Sequence, residues 1–489
     1  MILPLPLLVG LLLGLGVRDL DRSEPLPWGD AWTRLPSLAV AMGIWSGVVI
    51  LGGTALAFWI APRRYEGRAQ RLRRLWSRVV EWSAVGLFAW VLLWGDWAEV
   101  ATRLLGLENP VLVDEVAILA PLLVMLAIGW VASYPVERVG LLGAPPTTLR
   151  DHVGIRVRQA VGMLLPLLVL YGLGHDLIER WLPQTHEEPA AQLALLTVLS
   201  GVMLVLSPLF VRISWRTRRL ASGPLRDRLE ALSRRFRFRY TDILVWDTGG
   251  MLVNAGVTGV LPWFRYVILT DGLVDRLGPR EVEAVFGHEL GHIKHHHLAY
   301  LAFFFITSVG ALSLVETLIH AGFETPVWQA LWGGGSVWAS VAEWTVLLGI
   351  VAVYVVVVFG HLSRRFERQA DLFGCRVVSC DRRTCPPHAD PEDPQRLNAE
   401  APRSICPVGI EIFSKALREV ALSNGLPIRA PSWRHGSIAQ RLGFLEHVAN
   451  RPEAVGRFQT SLGRLRWMLA VVLGLMLAVS LWLVPSGVP

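Results

Sequence analysis

Long runs of apolar residues alternate with short arginine-rich segments along most of this chain. Runs near about 20 residues match the thickness of a bilayer, and they predict about nine membrane-spanning helices. The first run lacks a clear small-residue cleavage site, so we expect a retained anchor and not a signal peptide. The predicted spans lie near residues 1–17, 36–61, 82–95, 113–134, 160–178, 190–211, 298–322, 337–360 and 466–485.

Two stretches between the spans are too polar for lipid. The first contains a basic helical section and two strand-like runs, and the second shows helical periodicity. The expected fold class is therefore a polytopic α-helical membrane protein with a small α+β domain at one face. The predicted strands are Ile243–Trp246 and Tyr266–Thr270, and the predicted helices lie around Ile410–Leu422 and Ile438–Val448.

This pattern divides the chain into five parts. An amino-terminal transmembrane region of about six spans comes first, and two further helices separate the halves of the polar domain. A last helix and a tail end the chain. The predicted boundaries are 1–213 for the first region, 214–297 and 361–465 for the two halves, 298–360 for the helix pair, and 466–489 for the end.

Composition supports lipid as the solvent for much of the chain. Hydrophobic residues make up 53% and charged residues 18%, against about 25% charged residues in soluble domains. The net charge of +7 does not form one basic face, so we expect no nucleic-acid partner. Alternating loops are rich in arginine, which predicts that residues 212–297 and 361–465 face the cytoplasm. We expect a bacterial inner membrane, with the amino terminus inside and the carboxyl terminus outside.

The sequence His-Glu-Leu-Gly-His at residues 288–292 has the spacing of a metal site. On a helix, His288 and His292 leave the same face one turn apart and can share one tetrahedral zinc. Glu289 lies beside them, where it can take a proton from the attacking water. Gly287 and Gly291 would let another element approach this helix closely.

A third ligand is expected from the helix that continues the eighth span. Glu367 and Asp371 are four residues apart and share one face of it, so one can bind zinc while the other orients a histidine. The alternative is an ordinary charged helix end, because arginines at 364, 365 and 368 supply partners.

The two motifs together resemble a known class. His-Glu-Leu-Gly-His, two spans and then Arg-Arg-Phe-Glu-Arg-Gln-Ala-Asp at 364–371 are similar to the membrane zinc metalloproteases of the CAAX prenyl protease and HtpX class. The resemblance implies that Glu367 completes the zinc site and that Asp371 contacts the ligands without binding the metal itself. It also implies that a strand at Asn254 and Ala255 borders the substrate cleft.

The same class has a His-Pro pair followed by an arginine six residues after the histidine. This chain has His435 and Arg441 at that spacing, with Gly436 in place of the proline. The resemblance implies that His435 donates to the oxyanion or the substrate and that Arg441 supports it.

All four cysteines lie between 375 and 406, and their role stays open. Cys375, Cys380, Cys385 and Cys406 could hold a second, structural metal or form disulfides. Reduced thiols are the alternative, favoured by a cytoplasmic location. For the histidines at 295–297, a polar collar at the membrane interface is expected in preference to another metal site.

These features predict a membrane-embedded zinc endopeptidase that hydrolyses membrane-associated proteins or peptides. Zinc is the expected cofactor, and the bilayer and a protein or peptide substrate are the expected partners. One alternative is a zinc-binding scaffold without activity. Another is a transporter, although the sequence shows no internal symmetry. Substrate identity, any need for a prenyl group, and the oligomeric state are not indicated by the sequence.

Overall fold

Long helices form the amino-terminal half of the protein. The structure, a computed structural model, describes residues 5–18, 28–63, 67–101, 113–140, 148–181, 189–332, 346–347, 349–350, 353–380 and 404–483. The helices of this half are α1 (Leu5–Arg18), α2 (Trp28–Ile60), α3 (Gly67–Leu93), α4 (Val113–Gly140), α5 (Leu149–Trp181) and α6 (Pro189–Ser214).

The second half combines a small sheet with further helices. Its first elements are β1 (Thr217–Arg219), α7 (Pro224–Arg235), β2 (Asp242–Trp246), β3 (Ala255–Thr258), β4 (Tyr266–Thr270), α8 (Asp271–Arg276), α9 (Pro279–Lys294), α10 (His297–Phe323) and α11 (Pro326–Trp332). A π-helical turn, Val355–Phe359, then runs directly into α12 (Gly360–Val377), and α13 (Pro407–Ser423), α14 (Ile438–Asn450) and α15 (Ala454–Leu483) follow.

The helices account for much of the predicted membrane region. Among the described residues, those long and apolar enough to cross a membrane are Arg34–Arg63, Arg71–Leu93 and Glu115–Val139. Helix α3 begins at Gly67, earlier than predicted. The sequence predicts a connection up to residue 82, where the third span begins. No proline interrupts this arginine-rich segment, and arginine is a good helix former, so the helix extends beyond the apolar run. Part of the predicted span 337–360 lies outside the described residues.

The sheet confirms the two predicted strands and adds one further strand at each edge. Its order is β1-β2-β4-β3. The central strands β2 and β4 are parallel and buried along their whole length. Strand β3 pairs antiparallel with β4, and among the residues that the structure describes no strand pairs with its other edge. An edge strand of this kind can accept a further extended chain.

Helices α9 and α12 pack closely against each other. A Cβ atom added at Gly291 would lie 2.9 Å from the Cβ of Phe373 and 3.0 Å from the Cα of Ala370. At Gly287 it would lie 2.8 Å from Val377. The expected close approach at these two glycines is therefore confirmed, and it brings the two predicted ligand helices together.

This contact predicts a cost for even one added methyl group. Gly291→Ala should lower the free energy of unfolding by about 1–3 kcal/mol, because the new Cβ meets backbone that cannot yield without moving α12. Gly443→Ala is the control, since its Cβ would meet nothing within 4 Å and alanine favours a helix by about 0.5–1 kcal/mol. Thermal unfolding in detergent compares them. Equal midpoints for the two variants would contradict this account of the packing.

Candidate metal centre

The helix α9 presents both histidines of the motif toward α12. It begins at Pro279, a residue suited to the first helical turn because it has no N–H to leave unpaired. Four residues apart, His288 and His292 project from one face, and their Nε2 atoms are 3.2 Å apart. The sequence-predicted pair is therefore together in space.

Glu367 reaches the same point from α12. Its carboxylate oxygens lie 3.7 Å from the Nε2 of His288 and 3.8 Å from the Nε2 of His292. Ligands bound tetrahedrally at zinc distances are about 3.4 Å apart, so the three atoms fit one zinc ion with little adjustment. In the part of the chain that the structure describes, these residues are the one group with metal-ligand spacing.

Asp371 lies one turn beyond Glu367 and joins His288 to Arg441. The Nδ1 of His288 is 3.0 Å from its Oδ1, and the Nε of Arg441 donates to its Oδ2 at 2.9 Å. Burial raises the pKa of Asp371, but the charge of Arg441 and the hydrogen bond from His288 outweigh it and leave the pKa below the usual value. The carboxylate therefore stays ionised and holds the Nδ1–H of His288, which leaves Nε2 free for a metal.

His435 lies against Glu367, with its Nδ1 2.9 Å from Oε1 of that carboxylate. The backbone of Gly436 has φ +72°, which proline cannot adopt because its ring fixes φ near about −65°. Glycine adopts this left-handed backbone without steric cost, so it suits the turn at this position. Ser437 then starts α14 with a capping box that includes Gln440, and the helix carries Arg441 to within 3.3 Å of Glu367.

The protonation states follow from burial and nearby charge. Burial and the neighbouring His288 lower the pKa of His292 to about 3, so that it is neutral, as a metal ligand must be. Burial also raises the pKa of Glu289, and the charge of Glu367 adds to this effect. A carboxylate with a raised pKa holds a proton more readily, which suits it to general-base work.

His297 is a member of the site that the sequence did not identify. It is 1% exposed, and its Nδ1 lies 2.9 Å from the Nδ1 of His292. The expected polar collar at the membrane interface is wrong for this residue, although His296 is exposed. The sequence shows that His297 follows His292 by five residues. It does not show that the chain turns sharply at His296, where φ is +55°, because no sequence pattern indicates that turn.

Hydrogen bonds hold the chain at Val253 and Asn254, where the segment predicted to border a substrate cleft begins. The backbone N–H of Val253 donates to Oδ1 of Asn424 at 3.1 Å, and Nδ2 of Asn424 donates to the carbonyl of Val253 at 2.7 Å. Asn254 pairs with Thr270 next to this clamp. Ala255 begins β3, which contacts α9, so that the edge strand runs past the helix that carries the histidines.

The cysteines do not share one environment. Cys375 and Cys406 are buried and are not in a disulfide, and the Sγ of Cys406 accepts the backbone N–H of Gly409 at 3.3 Å. Cys380 is in a disulfide, and Cys385 lies outside the described residues. Burial raises the pKa of the Cys375 thiol well above its usual value, which makes this thiol a poor metal ligand.

Comparisons with known proteins agree with this geometry. Residues 220–385 match the model of peptidase family M48. The chain is 28% identical over 288 residues to a protease HtpX homolog of Aeropyrum pernix, covering 53% of this chain and 85% of that protein. It is 30% identical over 133 residues to a protease HtpX homolog of Methanocaldococcus jannaschii, covering 26% and 43%.

Among the solved structures, the chain also matches the crystal structure of S. mikatae Ste24p. The sequence identity is 16% and the TM-score is 0.47, over 87% of this chain and 100% of that one.

Proposed function

Because this chain is a membrane-embedded metalloendopeptidase with a peptidase family M48 domain, we propose that it cleaves membrane-associated proteins or peptides close to the bilayer surface. His288, His292 and Glu367 are the proposed zinc ligands. The observation that carries this assignment is their convergence from two helices onto one point, with ligand atoms within 4.8 Å of one another.

Each polar group around this point has a role that follows from its position. Bound zinc supplies a Lewis acid that polarises the scissile carbonyl and acidifies a water. Glu289 takes the proton of the attacking water and later gives it to the leaving amine. His435, half-exposed beside Glu367, donates to the oxygen that becomes negative. Asp371 and Arg441 hold His288 and Glu367 in place.

Removing the proposed base tests this mechanism. Glu289→Gln keeps the shape of the side chain but cannot accept a proton, so kcat should fall by about 10²–10⁴-fold. Casein or a membrane-protein substrate serves for the assay. Zinc content measured on the same samples should stay near one per chain in both proteins. Undiminished cleavage by the variant would refute the role of Glu289.

We propose that the substrate binds as an added strand on β3. The backbone N–H of Thr270 in β4 donates to the carbonyl of Asn254, and the N–H of Asn254 donates to Oγ1 of Thr270, so the backbone groups of Asn254 face β4. Alternation along an antiparallel pair then directs the N–H and C=O of Ala255 and Val257 toward the open edge. A peptide paired there gains backbone hydrogen bonds that are independent of its sequence. This mode suits a protease with broad specificity.

The outward N–H of Ala255 provides the test. Ala255→Pro removes this donor without removing a bond to β4, and kcat/KM should fall about 2–10-fold, as expected for one lost hydrogen bond. Ala255→Gly keeps the donor and serves as the matched control. The effect should appear in KM with zinc content unchanged. Identical kcat/KM for Ala255→Pro and Ala255→Gly would exclude strand addition at this position.

The position of the site supports membrane-associated substrates. Helix α10 begins five residues after His292, and the π-helical turn ends eight residues before Glu367. At about 1.5 Å per helical residue, both ligands are within roughly 8–12 Å of an apolar helix. We propose nine crossings of a bacterial inner membrane, with both halves of the catalytic domain in the cytoplasm. Support comes from helices at most of the predicted spans and from arginine-rich connections.

A peptide tethered to lipid tests both the substrate class and the orientation. Anchored by a short linker and added to inside-out vesicles, it should be cleaved with a lower KM than the same peptide without its anchor. Right-side-out vesicles expose the opposite face and should leave the peptide intact. Cleavage only in right-side-out vesicles would overturn the orientation, and an equal KM for the two peptides would overturn the preference for tethered substrates.

A further inference from the structure

His297 faces the side of His292 that is turned away from the proposed metal position. His292 directs Nε2 toward His288 and Glu367, while its Nδ1 lies 2.9 Å from the Nδ1 of His297. A neutral imidazole that binds a metal through Nε2 carries its proton on Nδ1. The Nδ1–H of His292 must therefore donate, and the Nδ1 of His297 must accept.

The other nitrogen of His297 settles its tautomer. Its Nε2 is 2.9 Å from Oε1 of Gln369, and since its Nδ1 accepts, the proton is on Nε2 and is donated to this amide oxygen. The orientation of the amide is fixed in turn. Oε1 also accepts from Nη2 of Arg466 at 2.7 Å, and arginine can only donate. The Nε2 of Gln369 donates to Gln459.

The ring of His297 is also held by packing. It stacks on Phe366 with centroids 4.3 Å apart and planes at 5° to each other. The guanidinium of Arg466 covers the same phenyl ring at 4.8 Å and that of Tyr300 at 4.5 Å. Both the plane and the hydrogen-bond polarity of His297 are thus determined by groups on α10, α12 and α15.

We propose that His297 is a positioning residue for zinc binding: it accepts the Nδ1–H of His292 and fixes the ring whose Nε2 binds the metal. Arg466 and Gln369 set the direction of this hydrogen-bond chain, so the last long helix, α15, is connected to the metal centre. Partners of this kind are worth about 10–100-fold in metal affinity. The inference rests on the proposed ligand role of His292.

The test compares zinc affinity among variants at this position, in the inactive Glu289→Gln background so that self-cleavage does not interfere. His297→Phe keeps the ring on Phe366 but removes the acceptor, and it should weaken zinc binding about 10–100-fold. His297→Asn places an amide oxygen where Nδ1 was and should restore most of the affinity. His296→Asn, at an exposed neighbour, is the control and should bind zinc as the parent does. Affinity is measured by competition with a chelator.

A second readout reports on geometry. The visible spectrum of the cobalt-substituted protein should shift in His297→Phe and return toward the parent spectrum in His297→Asn. Unchanged affinity and spectrum in His297→Phe would overturn the proposal. Equal weakening in the Phe and Asn variants would also overturn it, because packing rather than the acceptor would then matter. If His297→Phe does not fold, the zinc affinity of Gln369→Met tests the proposal instead. The proposal requires that Gln369→Met binds zinc about 3–10-fold more weakly than the parent, and an affinity equal to that of the parent would reject it.

His292→Phe separates this proposal from the metal centre itself. If His292→Phe loses zinc and His297→Phe does not, the assignment of the metal ligands stands and only the positioning role of His297 is rejected. Full zinc affinity in His292→Phe would reject the ligand assignment, and with it the role of His297.

Discussion

The close packing of α9 on α12 is the constraint on which the rest of the site depends. Gly287 and Gly291 allow the two backbones to approach so closely that added Cβ atoms would overlap α12. At this separation, ligand atoms of His288, His292 and Glu367 lie within 4.8 Å of one another. Polar groups shielded from water in this contact then need partners, and the hydrogen bonds around Asp371 and Arg441 supply them.

The charged side chains at this contact favour the binding of a cation. Glu289, Glu367 and Asp371 bring three carboxyl groups into a region with little water, while Arg441 contributes one positive charge. The carboxyl groups outnumber the single arginine. Burying such charges without compensation would be costly, and a bound cation would supply that compensation.

Much of this centre follows from local spacing, which the sequence displays directly. The shared helical face of His288 and His292, the two strands before their helix and the helix that carries Glu367 all follow from periodicity. They are found where predicted. His297 depends instead on a left-handed residue, His296, that turns the chain back toward α12. Likewise, the sequence alone does not show that Gly436 has a positive φ, a backbone conformation that glycine adopts readily. Such details depend on single backbone angles, which no periodic pattern encodes.

The connection between α9 and α10 has a mechanical consequence. Only His295 and His296 separate the helix that carries both histidines from one that runs into the apolar region. So short a connection leaves little slack, because His297 is the first residue of α10. The direction in which α10 leaves the domain therefore also sets where the ring of His297 stands beside His292.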